Sequence, residues 1–121
     1  MKLTTIVADL RNFVIEPGQW DAVISIFCHL PSELRSAVHR AVVNGLKPGG
    51  VFVLEAYTPA QPKFGTGGPS DPGMLVSLDQ LRRELDGLFF ERAVEIERPV
   101  VEGRFHTGMA SVVQVFAIKK P

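Results

Sequence analysis

The sequence predicts an α/β fold in which a parallel strand–helix–strand crossover precedes a C-terminal antiparallel hairpin. Two apolar runs, residues 22–27 and 51–57, lack polar alternation, which is typical of parallel strands buried on both faces. Between them, residues 31–45 repeat apolar side chains at helical spacing. Residues 89–101 and 112–118 follow as two adjacent strands, so the chain is expected to end in an antiparallel pair.

Length and composition restrict the possible classes of protein. The 121 residues correspond to one domain, residues 1–121, and 45% hydrophobic residues exclude a disordered chain. Thirteen basic and thirteen acidic side chains give no surplus positive charge for a nucleic-acid partner. The sequence has no signal-peptide pattern and no apolar run of the ~20 residues that span a bilayer. With a single cysteine, Cys28, these features predict a cytoplasmic protein without a membrane partner.

The first part of the chain predicts a short strand and then a helix. Residues 4–8 are rich in β-branched side chains and are expected to form a strand that ends at Asp9. The helix begins at Pro31, where the missing N–H has no cost, and ends at the turn of residues 47–50. Its apolar face holds Leu34, Val38, Ala41, Val42 and Gly45, whereas Arg35 and His39 are expected mostly on its polar side.

The middle of the chain contains a long connection. Eight residues in the stretch 58–73 are proline or glycine, which excludes a helix or an inner strand there. A connection of this length is often a lid or a binding loop. Ser77 with Gln80 three residues later predicts a capping box at the start of the next helix.

Several motifs occur in an order that resembles a known family. They are ADL at residues 8–10, WDAVIS at 20–25, LKPGGVFV at 46–53, FGTGGP at 64–69 and EGRFHTG at 102–108. The order resembles the later part of a class I S-adenosylmethionine-dependent methyltransferase. The last two motifs resemble the tellurite-resistance-type branch of that superfamily.

The resemblance implies a partial Rossmann-like fold. The family has a sheet in the spatial order 3-2-1-4-5-7-6 with strand 7 antiparallel, and this chain matches strands 3 to 7. Strand 1, the glycine-rich turn after it and the acidic end of strand 2 have no counterpart here, so the chain is expected to be the C-terminal part of the fold. For the complete enzyme, the resemblance implies S-adenosylmethionine as cofactor and methyl transfer to a small-molecule acceptor. The alternative is a catalytically inactive, dimerising structural module.

The resemblance also assigns cofactor-binding residues. Asp9 would accept a hydrogen bond from the exocyclic amine of adenine, and the backbone N–H of Leu10 would meet a ring nitrogen. Phe27, at the end of the buried strand, is assigned to the same site. The alternative for Asp9 is a turn residue that ends a strand.

Two side chains at the carboxyl ends of the parallel strands are candidate catalytic residues. Open α/β sheets place ligands at that edge, where His29 could orient a substrate or act as a base. Tyr57 ends the next strand on the same edge. The alternatives are a helix-entry residue for His29 and a half-buried aromatic for Tyr57. Cys28 is expected to be an inert packing residue.

Two loops supply the candidate substrate residues. By resemblance, Phe64 and Gly67 would form a lid over the site. Arg104 and His106 on the terminal hairpin connection could reach an anionic or polar substrate. The alternatives are a plain surface loop and solvated loop residues. The three histidines show no spacing of metal ligands, so no metal is expected.

The strand of residues 22–27 would lose its neighbour if strand 1 is absent. Either residues 4–8 pair beside it, or a second copy of the chain does. We expect a homodimer through the exposed sheet edge, with exchange of the N-terminal strands as one possible form.

Overall fold

The computed structural model describes residues 1–64, 68–69, 71–101 and 107–121. The described part holds four strands and two α-helices, and two short 3-10 turns lie at Gln61–Phe64 and Pro72–Met74. In chain order the larger elements are β1 (Trp20–Ile26), α1 (Ser32–Gly45), β2 (Leu46–Tyr57), α2 (Leu78–Glu84), β3 (Leu88–Val101) and β4 (Thr107–Lys119).

The strands of the described residues form one sheet in the order β1-β2-β4-β3. β1 and β2 are parallel and are joined by α1, while β4 runs antiparallel to both β2 and β3. The predicted crossover and C-terminal hairpin are therefore confirmed. The order also equals 4-5-7-6 of the methyltransferase sheet that the resemblance implied. None of the helices in the described ranges is long and apolar enough to cross a membrane.

The prediction of a strand at residues 4–8 is wrong. These residues are described, exposed and outside every strand. In the order implied by the resemblance, this segment would be separated from β1 by two strands that have no counterpart in this chain. Without an adjacent strand, its backbone groups are left to water.

The two faces of the sheet differ in what covers them. Phe52, Leu54 and Ala56 of β2 point to the face that α1 and α2 cover, which we call the helix face. Val42 of α1 and Leu81 of α2 are both at most 2% exposed in this core. The opposite face, called the open face, carries the alternate residues of each strand.

The open face is covered at one end only. Tyr57 and its register partner Val112 are buried there beneath Leu75. Toward the amino-terminal side of β1 the face is bare, and Ile24 is 68% exposed. Glu55 lies between these two regions and binds Arg98 and Gln114 across three strands.

A buried ionic cluster joins the two helices, and here the assignment of Arg35 and His39 to the polar side of α1 is wrong. Each of these residues is 4% exposed. Arg35 Nη2 donates to Glu84 Oε2 at 2.9 Å, and His39 Nδ1 donates to Glu84 Oε1 at 2.7 Å. Burial raises the pKa of Glu84, but the hydrogen bonds from His39 and Arg35 prevail and lower it from 4.5 to about 2. Glu84 therefore stays ionised and compensates the buried guanidinium.

Candidate functional site

The carboxyl ends of β1 and β2 lie side by side because the two strands are parallel. The ladder pairs Ile26 with Glu55, and one residue later the N–H of Phe27 donates to the carbonyl oxygen of Glu55 at 2.8 Å. This pairing brings Phe27, the following His29 and the end of β2 at Tyr57 to one edge of the sheet. The two candidate catalytic residues are thus neighbours.

Phe27, His29 and Tyr57 form a stacked group that we call the aromatic cluster. The ring centroids of Phe27 and Tyr57 are 4.7 Å apart with an interplanar angle of 18°. Those of His29 and Tyr57 are 5.5 Å apart at 15°. Such offset stacks stabilise a fixed arrangement of the rings. Tyr57 is 2% exposed, so it is more deeply buried than the alternative of a half-buried aromatic implied.

The backbone of Phe27 explains how the cluster is assembled. Val23 points to the helix face, and strict alternation would send Phe27 to the same face. Instead, Phe27 has a φ of 50°, a conformation that costs a non-glycine residue about 1–3 kcal/mol. The turn carries its ring onto Tyr57, which alternates with the helix-face residue Ala56. Strain held in this way is a feature of functional sites.

The predicted lid segment is held to the sheet at Gln61, and the chain that follows the segment returns to the sheet at Val76. Ser111 of β4 donates its N–H to Gln61 Oε1 at 2.8 Å, and the N–H of Val76 donates to the carbonyl oxygen of Tyr57 at 3.1 Å. At Gly68 a Cβ would come within 3.0 Å of Cδ2 of Tyr57, which explains a glycine against the ring. Gly68 therefore lies against Tyr57 of the aromatic cluster.

The predicted substrate residues are placed only in part. Phe64 is half-buried at the end of the first 3-10 turn, and the ammonium group of Lys63 lies 5.4 Å from its ring centroid. Gly67, Arg104 and His106 lie outside the described residues. The roles given to these four residues remain predictions.

The predicted cofactor residues lie in different surroundings. The carboxylate of Asp9 is paired with Arg11, whose Nη2 is 2.6 Å from Oδ2. Hydrogen bonds from Arg11 lower the pKa of Asp9 from 3.8 to about 2. Leu10 instead lines an apolar cavity of about 330 Å³ between β1, α1 and the N-terminal segment. Phe27 belongs to the aromatic cluster, which the cavity lining does not include.

Cys28 lies between these two features. It lines the same cavity as Leu10, and burial raises the pKa of its thiol. A raised pKa lowers the thiolate fraction near neutral pH, which is the opposite of what a nucleophile needs. Cys28 therefore forms part of the cavity wall, and the raised pKa of its thiol does not favour a nucleophilic role.

Sequence reasoning missed the strained backbone of Phe27 and the cluster around Glu84. A positive φ at a phenylalanine has no sequence signal, because the residue is typical of a strand. The burial of Arg35 and His39 depends on Glu84, which is 49 and 45 residues away in sequence. The available signal was the spacing of an Arg and a His four positions apart on one helix, which lets both side chains bind the same carboxylate.

No family model and no curated protein matches the sequence. Solved structures do match the fold. TehB from Haemophilus influenzae has a TM-score of 0.76 at 14% identity over 99% of this chain and 42% of its own. A S-adenosylmethionine-dependent methyltransferase from Methanosarcina mazei has a TM-score of 0.68 at 14% identity over 95% and 66%. One from Mesorhizobium loti has a TM-score of 0.59 at 21% identity over 93% and 68%.

The chain has part of the fold of the S-adenosylmethionine-dependent methyltransferases. It spans 42% of TehB and 66% of the Methanosarcina mazei enzyme, so the matched structures extend well beyond it. Within the methyltransferase order, the aromatic cluster lies at the carboxyl ends of strands 4 and 5. The partial fold that the sequence predicted is therefore confirmed.

Proposed function

We propose that this chain forms part of a S-adenosylmethionine-dependent methyltransferase that transfers a methyl group to a small-molecule acceptor in the complete enzyme. One observation carries the proposal: the strained Phe27 and the stacked His29 and Tyr57 lie at the carboxyl ends of adjacent parallel strands. Ligands of open α/β sheets bind at this edge. The likeness to methyltransferase structures supports the same assignment.

The chemistry of the cofactor fits the surfaces on this edge. S-adenosylmethionine supplies an electrophilic methyl group on a positively charged sulfonium, and a cation is attracted to aromatic faces. In the proposal, the aromatic cluster lies toward the sulfonium, while the cavity lined by Leu10 takes the flat adenine ring. Methyl transfer depends mainly on orientation of the acceptor, so His29 and Tyr57 would act by positioning it.

Asp9 is suited to the adenine amine in one respect. The ion pair with Arg11 keeps its pKa near 2, so the carboxylate is a permanent acceptor at neutral pH. A carboxylate offers about four lone-pair sites, which leaves capacity beside Arg11. In the proposal Asp9 accepts from the amine, and the N–H of Leu10 donates to a ring nitrogen.

The acceptor side of the site rests on the two loops. We assign contact with the acceptor to Phe64 and Gly67 of the lid segment and to Arg104 and His106 of the hairpin. The support is the attachment of the segment beside Tyr57, through Gln61 and Val76. Replacement of Phe64 by Ala tests this, since it should weaken acceptor binding and leave cofactor binding unchanged.

Titration calorimetry with S-adenosylmethionine tests the proposed function. The unaltered chain should release or absorb heat with a saturable isotherm. Leu10→Asp places a carboxylate in the apolar cavity and should weaken binding by about tenfold or more. Val14→Asp is the matched control, because Val14 lies on the same segment, is 67% exposed and should bind as the unaltered chain does. Absence of binding up to millimolar cofactor would overturn the proposal.

The second candidate function is a dimerising structural module without catalysis. The observation in its favour is the unpaired edge of β1 in the described sheet. The same titration discriminates between the two functions: a chain that associates with itself and does not bind the cofactor supports the module.

A further inference from the structure

A groove of about 570 Å³ lies between α1 and α2. α1 joins β1 to β2, whereas α2 reaches the other edge strand, because the N–H of Leu78 donates to Glu95 Oε2 of β3 at 2.8 Å. The groove is therefore on the side of α1 that faces away from β1. The residues that give it its chemistry are Ser32, Arg35, Ser36, Arg40, Gln80 and Arg83.

Two of the arginines in this groove have no partner among the described residues. The described ranges contain seven arginines, and five of them contact another side chain. The remaining two, Arg40 and Arg83, have no hydrogen bond, ion pair or ring contact in the described part of the chain. Both line the same groove, although they come from different helices. Guanidinium groups brought together in this way favour an anionic ligand.

The carboxylate of the groove is already engaged. Glu84 accepts three hydrogen bonds from Arg35 and one from His39. These bonds use the lone-pair sites of a carboxylate, which number about four, so Glu84 has none left for Arg40 or Arg83. Glu84 compensates Arg35, and the described lining of the groove keeps the positive charges of Arg40 and Arg83.

Neutral donors complete the lining. Gln80 Oε1 accepts from the N–H of Ser77 at 2.9 Å, which leaves the amide N–H groups of Gln80 for the groove. Ser32 and Ser36 lie one helical turn apart on α1 and add two hydroxyl groups. The described lining thus offers many hydrogen-bond donors and no free carboxylate. An anion with several oxygen atoms suits such a lining.

We propose that this groove binds the phosphate group of a small phosphorylated molecule. A phosphate monoester carries a charge of about −1.5 to −2 at pH 7, which matches the charges of Arg40 and Arg83. Its oxygens accept bidentate hydrogen bonds from guanidinium groups. The volume of about 570 Å³ lies within the range of small-molecule pockets, about 300–1,000 Å³. The groove shares no described residue with the cavity given to the cofactor, and the inference is independent of methyl transfer.

NMR titration of the isotope-labelled chain at constant ionic strength tests the site with phenyl phosphate as the probe. The backbone amides of Ser36 and Gln80 should shift and then saturate as the probe is added. Benzoate is the matched probe, because it carries the same ring on a carboxylate. It should bind about tenfold more weakly, since a single negative charge balances only one of the two guanidinium groups.

Arginine replacements locate the binding site. Arg40→Gln and Arg83→Gln should each raise the dissociation constant of phenyl phosphate by about tenfold or more. Arg82→Gln is the matched control, because it removes the same charge from the neighbouring position of α2. The Cζ atom of Arg82 lies 5.0 Å from the ring centroid of Phe90. This replacement should change the constant by less than about twofold, since only a screened charge is lost.

The effect of these replacements on folding and on the cofactor is expected to be small. Neither Arg40→Gln nor Arg83→Gln removes a contact with a described residue, so both variants should unfold at the same denaturant concentration as the unaltered chain. Both should also give the same titration with S-adenosylmethionine as the unaltered chain. A failed cofactor titration would therefore leave this test unaffected.

Three results would overturn the proposal. Shifts that do not saturate at tens of millimolar phenyl phosphate would show two solvated arginines rather than a binding site. Equal weakening by Arg82→Gln and Arg83→Gln would show attraction to the net charge alone. Equal affinity for benzoate and phenyl phosphate would exclude phosphate as the group that the groove recognises.

Discussion

The two edges of the sheet are built differently. β3, at one edge, is fourteen residues long and contains Pro99, a register irregularity between Phe90 and Arg92, and charges at residues 91, 92, 95, 97 and 98. β1, at the other edge, is seven residues long, contains no proline, has Asp21 as its one charge and has a register irregularity between Trp20 and Ala22. Prolines and charges hinder edge-to-edge pairing, so β3 is protected along its length, whereas residues 22–26 of β1 are not.

The difference indicates on which side the sheet is incomplete. A protected edge is a natural end of a sheet, whereas an unprotected apolar edge is a position for a neighbour. The methyltransferase structures that this chain matches extend beyond it, with 42% of TehB covered. In the order that the resemblance implied, β3 corresponds to the outermost strand and β1 to an inner one. The residues of the two edge strands and the comparison with solved structures thus both indicate that a neighbouring strand belongs beside β1.

The largest effect is expected at the ionic cluster that joins the helix beside β1 to the helix that precedes β3. Glu84→Gln removes the charge that compensates Arg35 and should lower the free energy of unfolding by about 3 kcal/mol. Denaturant titration measures the change. Glu33→Gln in the exposed first turn of α1 is the control and should change it by less than about 0.5 kcal/mol. An equal change in the free energy of unfolding for both replacements would contradict a stabilising role of the buried ionic cluster.

The same cluster predicts a dependence on pH. The pKa of Glu84 in the folded chain, about 2, lies below its ordinary value of 4.5. Its contribution is therefore complete above the ordinary value and is lost as pH falls from about 4.5 toward 2. Unfolding curves at a series of pH values should show this loss in the unaltered chain and a shallower one in Glu84→Gln. Identical pH slopes would show that Glu84 is not held ionised.

A smaller effect is expected where β3 is tied to the sheet. Arg98 Nε donates to Glu55 Oε2 at 2.7 Å, and Glu55 also accepts from Gln114. Burial raises the pKa of Glu55, but the hydrogen bonds from Arg98 and Gln114 prevail and lower it. Arg98→Met should cost about 1–3 kcal/mol of unfolding free energy, because it leaves a half-buried carboxylate underpaired.

Arg92 supplies the control for that replacement. It is exposed on the same strand and binds Gln114 alone among the described contacts. Arg92→Met should change the free energy of unfolding by less than about 0.5 kcal/mol. If both replacements lower the free energy of unfolding equally, the effect comes from the general loss of a positive charge. The contact of Arg98 with Glu55 would then not be what holds β3 in place.

The smallest change in the free energy of unfolding is expected at the amino-terminal caps, where the two helices differ. Ser77 accepts from the N–H of Gln80, whose side chain accepts from the N–H of Ser77, a complete capping box. In α1, within the described residues, Pro31 gives no side-chain cap. Ser77→Ala should cost about 1 kcal/mol in thermal or chemical unfolding, and Ser32→Ala should cost less than about 0.5 kcal/mol. A larger loss for Ser32→Ala would reverse this comparison.

Local signals in the sequence predicted much of this fold. The apolar runs gave β1 and β2, the spacing of apolar residues gave α1, and Ser77 with Gln80 gave the start of α2. Each of these elements follows from residues close together in the chain. The position of β4 between β2 and β3 came from the family resemblance, since alternation alone does not order strands.

The rest depended on partners distant in sequence. Residues 4–8 have strand composition, but a strand also needs a neighbour, and no strand of the described residues lies beside them. Helical spacing places Arg35 and His39 mostly off the apolar face of α1, which predicted the polar side for them. Their burial depends on Glu84, which supplies the carboxylate that a buried charge requires. At the site, adjacency of His29 and Tyr57 followed from parallel strands, whereas the turned backbone of Phe27 did not.

Hydrogen exchange of individual amides, followed by NMR, tests the open edge most directly. The N–H of Phe27 faces β2, so by alternation the amides of Ala22, Ile24 and Ile26 face outward and should exchange rapidly. The amides of Val23 and Ser25 face β2 and should exchange more slowly by about tenfold or more. Protection at Ile24 equal to that at Val23 would contradict the account.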